Sequence, residues 1–141
     1  MLQPGTTLNQ TYTLIEQIGS GGGGIVYKAY HERLHSYVVV KQVKDRVKGI
    51  LDARGEADVL KNIKHTRLPR VYDFLEIDGE IFTVMDFIPG ESLDKVLLRE
   101  GHFSQKEVFT WTLRLAEALS YLHSQKPPVI HSDIKPANVM L

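Results

Sequence analysis

Two stretches of strand character, Tyr12 to Ile18 and Ile25 to Tyr30, are joined by a run of small residues, Gly19-Ser20-Gly21-Gly22-Gly23-Gly24. Glycine adopts the backbone angles of a tight strand-to-strand turn, and without a side chain it lets N–H groups approach a phosphate closely. Gly19, Gly21 and Gly24 satisfy the pattern G-x-G-x-x-G. In a dinucleotide-binding fold such glycines open a helix, with an acidic residue about 20 positions on. Here a β-branched strand follows, and a third strand, Tyr37 to Gln42, contains Val38-Val39-Val40-Lys41. The arrangement favours a hairpin that covers phosphate. Taken alone, it is equally a flexible polyglycine turn.

The rest of the chain divides by its own punctuation. Ile50 to Ile63 has helical spacing, with Leu51, Val59, Leu60 and Ile63 as candidate inward residues and Gly55 as a weak point. Val71 to Ile77 and Ile81 to Phe87 flank Asp78-Gly79, a strong short hairpin signal. Pro89-Gly90 marks a linker. Ser92 to Arg99 suits a short helix. Ser104-Gln105-Lys106-Glu107 fits a capping box that opens a longer helix to about His123, before Pro127-Pro128. The expected class is α+β: a five-stranded antiparallel sheet with one helix, then the start of a helical part. A doubly wound sheet needs repeated strand–helix crossovers, and the order of elements lacks them.

Composition excludes several classes. The 17 basic and 17 acidic residues cancel, so no net field draws the chain to nucleic acid or anionic lipid. There is no cysteine for a disulfide or a thiolate metal site. The start, Met1-Leu2-Gln3-Pro4-Gly5, lacks the basic and apolar regions of a signal peptide, and no apolar run approaches the ~20 residues of a membrane helix. A soluble cytoplasmic protein is the expectation. His31, His35, His65, His102 and His123 show no metal-binding spacing and read as surface or structural residues.

The chemistry concentrates in two places. Lys41 ends a run of valines, where its ammonium can reach nucleotide phosphates if a carboxylate holds it. Glu56 is the candidate holder, with Asp52 and Asp58 as rivals; the alternative is a strand-edge lysine and a solvated glutamate. The stronger signal is His131-Ser132-Asp133-Ile134-Lys135-Pro136-Ala137-Asn138. A carboxylate at Asp133 can take the proton of an attacking hydroxyl. Lys135 can neutralise charge on a transferred phosphoryl group, and Asn138 can hold Mg2+.

A glycine loop, a strand lysine and an Asp–Lys–Asn loop in that order resemble the first half of a protein kinase domain, and the likeness is to bacterial-type serine/threonine kinases over essentially the whole chain. The resemblance implies ATP-dependent phosphoryl transfer to Ser/Thr hydroxyls of a protein substrate. It implies a small lobe over 1–88 and the start of a large lobe over 89–141. Ile18, Gly19, Gly21, Gly24 and Val26 fall on the ATP-covering loop and adenine roof, Val39 against adenine, Lys41 on the phosphate-binding lysine and Glu56 on its ion-pair partner. Met85 falls on the gatekeeper, Asp86-Phe87-Ile88 on the hinge and Met140 beneath adenine. Asp133 and Lys135 fall on the catalytic pair and Asn138 on the metal ligand. Val39 stands where the family usually has alanine, which implies a tighter pocket. Ser132 replaces the arginine of regulated members, which implies activity independent of a phosphorylated activation loop.

The family's Asp-Phe-Gly segment and activation loop do not fall within these 141 residues. The expectation is a chain inactive by itself; the alternative is a non-catalytic nucleotide-binding or interaction fragment. The helix from Ser104 to His123 carries Val108, Trp111, Thr112, Leu115, Ala118, Leu119 and Leu122, an apolar face that predicts self-association or a partner.

Overall fold

The computed structural model describes residues 2–21, 24–43 and 59–141. The chain divides into two compact units, one of Met1–Lys64 and Pro69–Phe87, the other of His65–Leu68 and Ile88–Leu141.

The first unit is an antiparallel sheet. Its strands are β1 (Thr7–Leu8), β2 (Tyr12–Gly21), β3 (Gly24–His31), β4 (Ser36–Val43), β5 (Val71–Ile77) and β6 (Glu80–Asp86), in the spatial order β1-β2-β3-β4-β6-β5. Six strands stand where five were expected. The addition is the two-residue β1, which pairs Thr7 with Thr13 and Leu8 with Tyr12. Two residues are too few to show an alternation in sequence, yet Leu8 is buried in the core.

Strand side chains point alternately to opposite faces, and directly paired residues share a face. One face of this sheet is the core: Tyr12, Leu14, Tyr27, Ala29, Val38, Val40, Leu75, Phe82 and Val84 are all buried. β5 and β6 are joined by Asp78-Gly79, with φ of 52° and 75°. Positive angles at both central residues are what a two-residue hairpin turn requires. β2 continues past Ile18 to Gly21, and its pairing with β3 shifts register between Leu14 and Glu16 and again between Gln17 and Gly19. These bulges leave Ile15 and Ile18 without a paired partner and explain the loose alternation of that strand.

Of the helix expected over Ile50 to Ile63, residues 59–62 are helical and Ile63 is buried. Leu51, Asp52, Gly55, Glu56 and Asp58 lie outside the described residues.

The second unit holds α1 (Leu93–Glu100), α2 (Gln105–His123) and a 3-10 turn at Pro136–Asn138. The capping box forms as expected: Glu107 N–H donates to Ser104 Oγ at 3.3 Å and Ser104 N–H donates to Glu107 Oε2 at 2.8 Å. The Ser104 hydroxyl also donates to Glu107 Oε2 at 2.6 Å, and this bond first, then that of the Ser104 N–H, holds the Glu107 carboxyl below its ordinary range. The segment His65–Leu68 belongs here because His65 stacks on Tyr121 (5.0 Å between centroids) and Arg67 pairs with Glu117 at 3.6 Å. Ala118 and Leu122 of α2 are buried, Trp111, Leu115 and Leu119 half-buried, and Val108 exposed. Only the C-terminal part of the predicted apolar stripe is therefore covered. Among the described residues no helix is long and apolar enough to cross a membrane.

Phe82 is among the largest fully buried side chains, whereas Leu98 is 88% exposed. Phe82→Ala is expected to destabilise the first unit by about 3–5 kcal/mol, and Leu98→Ala to change stability by less than about 0.5 kcal/mol. Urea unfolding followed by circular dichroism measures both.

Candidate functional site

The second face of the sheet carries the nucleotide-site candidates of the first unit. Val26 pairs with Lys41, Lys41 with Thr83, and Val39 with Met85. Val39 and Lys41 are two residues apart, so the four candidates and Thr83 stand on one face, opposite the core. All five are half-buried. Gly19 faces Val26 across the β2–β3 ladder and completes the row. The arrangement is an apolar patch of Val26, Val39 and Met85 with the Lys41 ammonium beside it, and cross-strand neighbours stand about 5 Å apart.

At the hairpin tip, Gly21 pairs with Gly24. Gly24 has φ of +134°, and a Cβ there would lie inside the contact distance of the Gln42 carbonyl oxygen. A side chain is excluded by both angle and space, so this glycine is needed for β3 to approach β4. Ile18 sits at the second bulge and is 42% exposed, available to cover whatever lies under the hairpin. Glu56 lies outside the described residues.

Asp86 closes the sheet at its exit. Its N–H donates to the Arg70 carbonyl at 2.9 Å. Its carboxylate accepts from Arg70 N–H at 2.7 Å and from the Tyr72 hydroxyl. The bond to Asp86 is the main reason the Tyr72 phenol is pushed up from its ordinary value. The Asp86 side chain thus fastens the start of β5 to the end of β6 and is not available to a ligand. Sequence reasoning missed Lys28, which pairs with Val39 on the face opposite the core. Its ammonium lies 4.6 Å from the Tyr37 ring centroid and 4.7 Å from that of Phe87, so one cation–π contact holds Phe87 and a second holds Tyr37. Period-two spacing from Val26 was the signal that could have found it.

The remaining candidates lie in the second unit. The chain enters their loop through Ser132, a non-glycine residue at φ 61°. Asp133 N–H donates to His131 Nδ1 at 3.3 Å. Pro136 then opens the 3-10 turn, which brings Asn138 back over Asp133. Asn138 Nδ2 donates to the Asp133 carbonyl at 2.8 Å and to its Oδ2 at 2.9 Å. Lys135 Nζ reaches the same Oδ2 at 3.0 Å. The Lys135 bond first, then that of Asn138, holds the Asp133 carboxyl below its ordinary range. The three residues singled out from spacing therefore meet at one carboxylate oxygen.

Beyond Asn138 the chain is stitched to the segment that precedes α1. Leu93 N–H donates to the Val139 carbonyl at 2.7 Å, Leu141 N–H donates to the Glu91 carbonyl at 2.9 Å, and Met140 bridges Ser92. Met140 and Ile88 are each 41% exposed in this unit.

Among the described residues no group of three or more His, Cys, Asp or Glu side chains gathers to hold a metal ion. With Nδ2 committed to Asp133, the Asn138 amide oxygen is the atom left for one. A single neutral oxygen fits Mg2+ that arrives with phosphate ligands, not a self-contained metal site.

The sequence profile described as the protein kinase domain matches residues 12–141. Serine/threonine-protein kinase tousled-like 1 of Caenorhabditis elegans is 34% identical over 95% of this chain and 15% of its own length. A probable serine/threonine-protein kinase of Clostridium acetobutylicum is 30% identical over 97% of this chain and 21% of its own. The chain thus spans only a minor part of these relatives. Among solved structures, the Mycobacterium tuberculosis PknI kinase domain superposes with a TM-score of 0.86 at 24% identity, over 99% of this chain and 57% of that one. That likeness shows the fold.

Because Lys135 and Asn138 both donate to Asp133, removing either returns the Asp133 carboxyl toward its ordinary value. Lys135→Ala is expected to raise it more than Asn138→Ala. Carboxyl 13C shifts of Asp133 followed against pH report the order directly.

Proposed function

The chain belongs to the protein kinase domain family, and from that premise we propose that it supplies the ATP-binding and catalytic-loop residues of a serine/threonine protein kinase. The observation that carries the reading is the meeting of Lys135 and Asn138 on the Asp133 carboxylate. ATP and Mg2+ are what the family uses, and the bound ion supplies charge neutralisation at the phosphates.

The roles of the residues follow from their chemistry. Val26, Val39 and Met85 offer an apolar surface to the adenine, with Ile18 at the bulge beside them; the roles of Met140 and Ile88 rest on the family resemblance alone. Gly19, Gly21 and Gly24 present backbone N–H groups, and Lys41 a charge, to the phosphates; Glu56 is the assigned holder of Lys41. Asp133, held below the usual carboxylate range, is ionised at neutral pH. It orients the substrate hydroxyl as an acceptor and takes its proton only as the oxygen–phosphorus bond forms. Lys135 has three donors and spends one on Asp133, which leaves others for the transferred phosphoryl oxygens. Asn138 gives its amide oxygen to Mg2+. A lone neutral ligand leaves the ion poorly held, so the 141-residue chain by itself is expected to bind ATP weakly and to turn over none.

Calorimetric titration of ATP into the chain and its Lys41→Met variant tests the binding half. The variant should weaken binding by about 1.5–3 kcal/mol, the worth of a hydrogen bond to a charged group; equal affinities would show that Lys41 does not meet the phosphates. In a longer protein that carries this chain, Asp133→Asn should lower transfer to a Ser/Thr peptide by roughly 10²–10⁴-fold. Retained turnover in that variant would sink the assignment.

Self-association through α2 belongs to the same reading. It is supported by Val108, Phe109 and Leu113, which are 47%, 69% and 54% exposed on that helix. Sedimentation velocity should show a dimer that Phe109→Glu with Leu113→Glu dissociates; a monomer at all concentrations removes the idea.

A further inference from the structure

The β2–β3 hairpin has a second end. Opposite the glycine turn, where Tyr12 pairs with His31, lies an open cavity of about 510 Å3 that the phosphoryl-transfer chemistry does not use. Its volume is that of a small-molecule site. Tyr12, His31, Arg33, Asp73, Asn9 and Gln10 line it.

The charges in this cavity do not balance. Asp73 is the one acidic lining residue, and its carboxylate is already engaged. Oδ2 accepts from the Tyr12 hydroxyl at 3.3 Å, Oδ1 accepts from Phe74 N–H at 2.9 Å, and Lys61 Nζ stands 3.8 Å from Oδ1. Arg33 makes no hydrogen bond or ion pair with any described residue, nor do the side-chain amides of Asn9 and Gln10. His31 is buried, and its Nδ1 accepts from Leu34 N–H at 3.4 Å, so Nε2 carries the ring proton and is a donor. Tyr12 packs edge-on against that ring at 4.9 Å. Burial first, then Asp73, pushes its phenol up to about 12, so it adds no negative charge. Among the described residues, what remains unspent is a guanidinium, two amides and an imidazole N–H.

We propose that this cavity binds a small organic anion, whose carboxylate or phosphate group is received by Arg33 with His31, Asn9 and Gln10. A guanidinium fork matches both groups in bidentate geometry. A bare ion fills only a small part of such a volume. The ligand therefore has an organic body, lying against Leu34, which also lines the cavity.

Amide-resolved NMR titration of the full chain at low ionic strength tests this, with inorganic phosphate, glycerol 3-phosphate and citrate as probes. The organic anions should give saturable shifts at Thr11, His31 and Arg33, with affinity about tenfold or more above that of inorganic phosphate. Arg33→Ala should abolish the response while leaving the circular dichroism spectrum unchanged, because Arg33 is exposed and makes no hydrogen bond or ion pair with any described residue. Arg33→Lys should keep part of it. Lys41→Met should keep all of it, which separates this site from the proposed nucleotide site on the same hairpin. Linear shifts, or a response that survives Arg33→Ala or disappears in Lys41→Met, would overturn the proposal. Equal affinity for inorganic phosphate would overturn the organic body.

Discussion

The pairing of Lys41 with Val26 and Thr83, and of Val39 with Met85, fixes which side chains stand on the face of the sheet opposite the core. Strand side chains alternate between faces, so a slip of one residue in β4 would exchange Val38 and Val40 for Val39 and Lys41. The slip would drive an ammonium into a core where Val40 and Val84 are wholly buried. Three consecutive valines look interchangeable in sequence, yet the outer two are core and the middle one stands on the opposite face. The bulges at Ile15 and Ile18 serve the same register. They let β2 gain residues on β3 while Gly19 still meets Val26.

The Asp133 loop is built on another principle. Its bonds run between residues at most five positions apart, from His131 to Asn138. Ser132 turns the chain through a left-handed angle and Pro136 starts the 3-10 turn. The loop needs long-range help only at its exit, where Val139 and Leu141 join the backbone on either side of Ser92. One half of the proposed machinery thus depends on strands far apart in sequence, and the other on a few adjacent residues. The two halves fail differently: a core substitution disturbs the sheet face, whereas the Asp133 environment answers to its own neighbours.

The β2–β3 hairpin carries polar chemistry at both ends. At one end the absence of side chains makes room for backbone donors. At the other, side chains themselves supply the donors, and a buried phenol ties β2 to Asp73 of β5. The same ladder of bonds keeps both ends in place, although β5 lies at the far edge of the sheet.

Much of this was legible in the sequence where the cause is local. Asp78-Gly79 specified its turn because positive angles favour those residues, and Ser104 with Glu107 specified a helix start because both bonds close within four residues. The spacing of Asp133, Lys135 and Asn138 likewise brought them together through one short turn. Other features depended on partners that the sequence does not announce. The strand β1 exists because Tyr12 offers it an edge. Asp86, read as part of a hinge that would meet adenine through its backbone, has a side-chain role the sequence did not show, its carboxylate being taken by Arg70 and Tyr72. His31, read as surface or structural, is a structural residue packed against Tyr12, and Lys28 finds the ring of Phe87 far along the chain as well as that of Tyr37. The sequence by itself determined the turns, the helix cap and the Asp133 loop, since those bonds join near neighbours. The tertiary structure decided the sheet order, the register and which polar side chains stay unpartnered, since those depend on which distant strands the core draws side by side.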